Sequence, residues 1–348
     1  MNNPVKTAIS SFGLSGQSFH GPLLKVNPNF EVRQILERSK NLSVKMFPNA
    51  KIARDFSEIL SNPEIELVIV NTPDYLHYEM ARQVIKAGKH LVVEKPVVQK
   101  SVEANELLQL AREKGVVFTV YQNRRLDGDF LTVKKILEQG NLGRLVEFES
   151  HFDRYRTYIT PNTWKEEGDE YIGVLHNLGS HMIDQACVLF GKPKSVSANL
   201  KIVRTNGNVT DYYDIRLEYG SFSAILKCSY LVMDPGPRYS LYGEYGTFHK
   251  WGIDPQEDLL RSGHLPNVKD WAKEPESEWG KLTYERDGLR FSGKIETIPG
   301  NYPAFYNNLY EVIRNGKELI VRPEEAVEVV RILEACLKSN REKKTIYL

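Results

Sequence analysis

The chain reads as two domains: a doubly wound α/β domain over residues 1–122, then an α+β domain over 123–348 built on a large, mostly antiparallel open sheet. Three observations lead there. The first third alternates strand-length apolar runs with helix-length segments, the pattern of a parallel sheet covered on both faces. A glycine-bearing turn, Ser11-Phe12-Gly13-Leu14-Ser15-Gly16, lies between the first run and the first helix, where doubly wound sheets bind pyrophosphate. Past about residue 140 helices become rare and strand-like runs follow one another across turns.

Taken in order, residues 5–10 form a first strand that stops at the glycine turn, and a helix follows over about 17–26. A second strand spans 30–36, and the apolar run 65–71 is a buried strand. Thr72-Pro73-Asp74 leads into a helix over about 76–87, which Gly88 ends. The next strand covers 90–94. Ser101 caps a helix running to Lys114, Gly115 stops it, and 116–121 is a further strand. An amphipathic helix over 127–140 buries Phe130, Val133, Ile136 and Leu137. Strands follow over 146–153, 195–203, 212–219, 221–230 and 238–242, interrupted by a helix over 172–190 that ends at Gly191. The polar stretch 255–275 reads as a long surface loop.

Composition narrows the function. At 348 residues the chain exceeds what one core usually serves, and 41% apolar with 26% charged residues describes a globular protein. A net charge of +1 gives no broad field for nucleic acid or an anionic membrane. No apolar run nears the roughly 18 residues that span a bilayer, and the first residues lack a secretory pattern. Cys187, Cys228 and Cys336 lack metal-ligand spacing, so no metal site is expected; as reduced thiols they suit a cytoplasmic enzyme.

Gly13 would let a pyrophosphate approach the backbone, and Gly16 would let helix and strand pack closely, although Ser11 stands at the first glycine position. After the second strand, Glu37 is placed to bind an adenine ribose, while Arg38 and Lys40 offer cations to a 2′-phosphate. Two cations around one acid tilt the choice between NAD and NADP toward NADP. In Glu94-Lys95-Pro96, proline ends the pairing and leaves a lysine at the carboxyl end of a strand, where ligands gather. Asn177, His181 and Asp184, spaced by four and three, place an amide, an imidazole and a carboxylate on one helix face.

In this order the motifs resemble the glucose-fructose oxidoreductase, inositol dehydrogenase and rhizopine-catabolism (Gfo/Idh/MocA) family. Gly13-Leu14-Ser15-Gly16, Asn71-Thr72-Pro73 with His77, Glu94-Lys95-Pro96 and Asn177-Leu178-Gly179-Ser180-His181 carry the likeness over essentially the whole chain. Gln122-Asn123-Arg124-Arg125, His151-Phe152-Asp153-Arg154 and Pro299-Gly300-Asn301-Tyr302-Pro303 resemble the branch with NADP-dependent scyllo-inositol dehydrogenases. The resemblance implies an N-terminal Rossmann domain and a C-terminal sheet through which copies form a homodimer or homotetramer. It also implies hydride transfer between NAD(P) and a hydroxyl-bearing carbon of a cyclic polyol or sugar, and a cis bond before Pro96.

By the same resemblance Lys95 hydrogen-bonds the reacting oxygen and His181 is the acid/base. Gly13, Leu14, Ser15, Gly16, Glu37, Arg38, Lys40, Asn71, Thr72, Pro73, His77, Glu94 and Lys95 form the cofactor set. Tyr121, Arg124, Arg154, Asn177 and Asp184 orient substrate. Asn177 is a departure, since the family's inositol dehydrogenases carry aspartate there; either the substrate differs or Asp184 takes a larger share. A non-catalytic NAD(P)-binding regulator and an NAD-dependent glycosidase remain alternatives on the same fold.

Overall fold

The structure is a computed structural model that describes residues 3–348. Met1 and Asn2, the first residues of the stretch read as lacking a secretory pattern, lie outside the described residues. Two compact units are present. The first holds the chain up to Leu126 together with Pro255–Ala272 and Gly300–Val327; the second holds Asp127–Asp254, Lys273–Pro299 and Glu328–Leu348.

The first unit begins with β1 (Val5–Ile9), a π-turn (Gly16–His20), α1 (Gly21–Lys25), β2 (Phe30–Leu36), a 3-10 turn (Leu42–Lys45), β3 (Lys51–Ala53) and α2 (Phe56–Leu60). It continues with β4 (Leu67–Val70), α3 (His77–Lys86), β5 (His90–Val93), α4 (Ser101–Lys114) and β6 (Phe118–Val120). The strands are parallel in the order β3-β2-β1-β4-β5-β6. Buried residues run almost unbroken along β1, β4 and β5, as strands covered on both faces require. The order reverses between β1 and β4, so the crevice for a ligand opens beyond their carboxyl ends.

Every element after Gly243 went unread in the sequence and, among the strands and α-helices up to β6, so did β3 and α2. The helix starts on a capping box in which Asp55 accepts from Ser57 N–H while Glu58 reaches back to the Asp55 N–H. Ser101 does not cap α4: it is the first helical residue, and Lys100 holds the cap position without a side-chain bond. Gly115 does end that helix, at φ 64°.

The second unit starts with α5 (Gly128–Gln139), β7 (Leu145–His151), a π-turn (Leu175–Gly179) and α6 (Ser180–Phe190). Strands β8 (Ser195–Lys201), β9 (Tyr212–Glu218), β10 (Ser223–Ser229), β11 (Tyr239–Gly243) and β12 (Gly246–Lys250) follow. In place of the expected surface loop comes α7 (Gln256–Arg261), part of the first unit. Gln256 and Leu260 are buried there; the Gln256 amide donates to Leu126 O at 3.1 Å and accepts from Tyr302 N–H at 2.7 Å. Hairpin strands β13 (Gly280–Arg286) and β14 (Leu289–Ile295), α8 (Pro303–Asn315), α9 (Pro323–Glu342) and β15 (Ile346–Tyr347) complete the chain.

The second sheet has the order β14-β13-β12-β11-β7-β10-β9-β8-β15. Its pairs are antiparallel except β7 with β10. Alternate residues of β9, Tyr213, Ile215 and Leu217, face a core shared with α6 and the second half of α9. No helix among the described residues is long and apolar enough to cross a membrane.

Candidate active site

In the first unit the turn after β1 is shaped by backbone crowding. A Cβ on Gly16 would lie 2.4 Å from Ser11 O, so only glycine fits. A Cβ on Gly13 would meet nothing nearer than Ser11 Oγ at 3.5 Å, and Gly13 and Leu14 are exposed. The turn is therefore open on its outer side, and no side chain caps the helix that begins at Gly16. Both features fit a dinucleotide pyrophosphate seated on the helix N-terminus. Ser11 replaces a glycine without loss of the turn, because its Oγ accepts the Gly13 N–H at 3.3 Å. The Asn71 amide donates to Ser11 O at 2.8 Å and braces the turn from the end of β4.

The expected ribose ligand Glu37 is engaged elsewhere. It is buried at the end of β2, where Oε2 accepts from Leu42 N–H at 2.7 Å and Oε1 accepts from Ser43 N–H at 2.9 Å and Ser43 Oγ at 2.5 Å. Arg54 closes the same loop through Glu37 O at 2.6 Å, Lys40 O at 2.7 Å and Asn41 Oδ1 at 2.5 Å. Arg38 and Lys40 stand exposed on this braced loop.

At the end of β5 the Lys95–Pro96 bond is cis, as the resemblance implied. Glu94 Oε1 accepts from Ser15 Oγ at 2.5 Å and faces His20 Nε2 at 3.1 Å, while Oε2 accepts the Lys95 N–H at 3.1 Å. Burial pushes the Glu94 carboxyl up, but the hydrogen bonds and charge of His20, then Ser15 and Lys95, outweigh it and hold the pKa at about 2. Asp74 behaves oppositely: burial raises it despite His77 and Lys95 nearby. His77 is a brace, with ring nitrogens 2.9 Å from Pro96 O and 2.8 Å from Thr72 O. Thr72 and Pro73 are partly exposed at the mouth of the same crevice.

Two of the expected substrate residues serve the first unit itself. Tyr121 is buried, its ring 4.6 Å from that of His20 and 4.9 Å from that of Phe305. Arg124, also buried, pairs with Glu257 at 2.6 Å. Sequence reading missed His20 and Tyr306; the one available signal was His20-Gly21-Pro22 directly after the glycine turn.

In the second unit the helix expected over 172–190 is divided into the π-turn and α6. Asn177 lies exposed on the π-turn, while His181 and Asp184 are buried on α6, at 4% and 1% exposure. The π-turn closes with Ser180 N–H donating to Leu175 O; such turns recur at functional positions. Neighbouring His176 is no candidate. Burial lowers its pKa to about 4, and its Nδ1 has no hydrogen-bond partner. Arg154 is exposed beyond β7, its guanidinium 5.4 Å from the Phe152 ring.

A family model described as "Oxidoreductase family, NAD-binding Rossmann fold" matches residues 5–122, and one described as "Oxidoreductase family, C-terminal alpha/beta domain" matches 134–348. The chain is 41% identical over 344 residues to scyllo-inositol 2-dehydrogenase (NADP(+)) of Bacillus subtilis, covering 99% of this chain and 96% of that protein. Among solved structures, an oxidoreductase of Bacillus subtilis superposes at TM-score 0.96 with 40% identity, covering 100% of this chain and 99% of that one. One of Bacteroides fragilis superposes at 0.91 with 44% identity, covering 99% and 100%.

Proposed function

The chain belongs to the Gfo/Idh/MocA oxidoreductase family, and we propose that this NAD(P)-dependent dehydrogenase oxidises a cyclic polyol of the inositol type, with NADP as the preferred cofactor. One observation carries the reading: at the end of β5, Lys95 follows a carboxylate that is hydrogen-bonded to the cofactor turn. Cofactor preference is supported by Glu37, which is turned into its own loop, and by Arg38 and Lys40, which are exposed. A copy-to-copy interface through the second sheet and a cytoplasmic location complete the proposal.

Oxidation of a CH–OH group removes a proton from oxygen and a hydride from carbon, leaving a carbonyl. The nicotinamide, when bound, accepts the hydride. His181 takes the proton, imidazole being a side chain that can both accept and donate a proton. The Lys95 ammonium stabilises negative charge developing on the oxygen. Asp184, the carboxylate on the helix face of His181, supports the imidazolium that Asn177 cannot. Replacing Lys95 by alanine should lower kcat by at least 10³-fold while NADPH affinity changes less than threefold. Unchanged turnover of a polyol would sink the assignment.

A further inference from the structure

Behind the crevice of the first unit lies a buried chain of polar groups that the proposed reaction does not use. His20 is fully buried in the π-turn that opens the first helix. Its Nδ1 is 2.6 Å from the hydroxyl of Tyr306, which is also fully buried and lies 286 residues further along the chain on α8. Burial, with the Glu94 charge adding, pushes the Tyr306 phenol well above its ordinary range, so it keeps its proton. The Tyr306 hydroxyl thus holds Nδ1 and leaves Nε2 to face Glu94.

The carboxylate at the end of this relay joins two functional segments. Ser15 Oγ, from the glycine turn, meets Oε1, and the Lys95 peptide N–H meets Oε2. We propose that His20 and Tyr306 are positioning residues, which through Glu94 lock the cofactor turn and the peptide of Lys95 into one arrangement. The inference rests on the dehydrogenase reading of this site.

The relay has a pH signature. The titratable groups facing Glu94 are His20 and Lys95, with Tyr306 behind His20 and Asp74 and His77 beyond Lys95. Without the His20 donor, burial is left to raise the Glu94 carboxyl, and the lock opens as pH falls.

The test compares His20→Leu, His20→Gln, which retains an amide donor, and Tyr306→Phe with the unmodified protein. NADPH affinity is titrated by nicotinamide fluorescence from pH 8 to pH 4.5, alongside kcat for a polyol and thermal melting. For His20→Leu the ratio of variant to unmodified Kd should stay below about threefold at pH 8 and exceed tenfold by pH 5, with kcat at least tenfold lower throughout. His20→Gln should restore most of both, and Tyr306→Phe should fall between. Folded variants whose pH profiles superimpose on that of the unmodified protein would overturn the proposal, whatever their melting temperatures. Should His20→Leu not fold, Tyr306→Phe, which loses one hydroxyl, decides in the same way. A protein that binds NADPH but oxidises no polyol defeats the dehydrogenase reading, and the binding profiles still judge the relay.

Discussion

Replacing Arg38 and Lys40 together by alanine should convert a protein that prefers NADPH into one nearly indifferent between NADPH and NADH. Both side chains are exposed, on a loop that Glu37 and Arg54 brace from within. A hydrogen bond to a charged group contributes about 1.5–3 kcal/mol, and solvent exposure argues for the lower end. Two such contacts to a 2′-phosphate give about 3 kcal/mol, or roughly a hundredfold in Kd. Fluorescence titration with each cofactor at low and high salt measures it. NADPH affinity should fall about a hundredfold and lose most of its salt dependence, while NADH affinity moves less than threefold. Glu37→Ala removes no cation, yet should weaken NADPH about tenfold by releasing the loop, and cost about 1–2 kcal/mol as a lost cap does. Equal weakening of both cofactors by Arg38→Ala/Lys40→Ala, or none of NADPH, would refute the assignment.

The two turn glycines should separate under substitution. Gly13→Ala has room within the protein and should leave melting unchanged while weakening NADPH at least tenfold; Gly16→Ala, 2.4 Å from Ser11 O, should lose both binding and about 1–3 kcal/mol of stability by chemical denaturation. In the second unit, Arg204→Met removes the guanidinium between two buried carboxylates, Glu166 at 2.7 Å and Asp211 at 2.8 Å, leaving Glu166 with Arg156 and Asp211 with backbone N–H groups, and should cost about 3 kcal/mol in a urea titration. His176 predicts acid sensitivity. Its folded pKa of about 4 lies below the ordinary value, so its contribution is complete above pH of about 6.5 and is lost as pH falls toward 4. His176→Leu should reduce the stability difference between pH 7 and pH 4.5 by about 2–3 kcal/mol.

Periodicity made the parallel strands legible, because strands buried on both faces read as continuous apolar runs. β2 falls at Phe30–Leu36, where the residue pattern placed it. Short elements were not legible. β3 has three residues and α2 five, too few to show a period, although the Asp55–Glu58 box marks the helix start. The stretch 255–275 failed for another reason: polar composition suggested solvent, yet Gln256 is buried because its amide satisfies backbone groups from residues 126 and 302. The place of Lys95 just after a strand was legible from Pro96, and His181 and Asp184 fall on one helix as their spacing suggested. His20 and Tyr306 could not, since their pairing spans 286 residues and sequence spacing carries no trace of it.

The two cofactor-side dipeptides, Glu37-Arg38 after β2 and Glu94-Lys95 after β5, show the same physical arrangement. In each, the acid is engaged by backbone and side chains around it, and a cation is the next residue in the chain. An inward carboxylate is costly unless hydrogen-bonded, and both are: Glu37 by Leu42 and Ser43, Glu94 by Ser15, His20 and Lys95 N–H. Each acid thereby fixes backbone next to a cation: the loop that carries Arg38, and the peptide N–H of Lys95. Sequence alone suggested that Glu37 would meet the ribose, because an acid at that position ordinarily faces the ligand. The hydrogen bonds reverse that orientation, in keeping with the lean toward NADP that Arg38 and Lys40 already gave the loop.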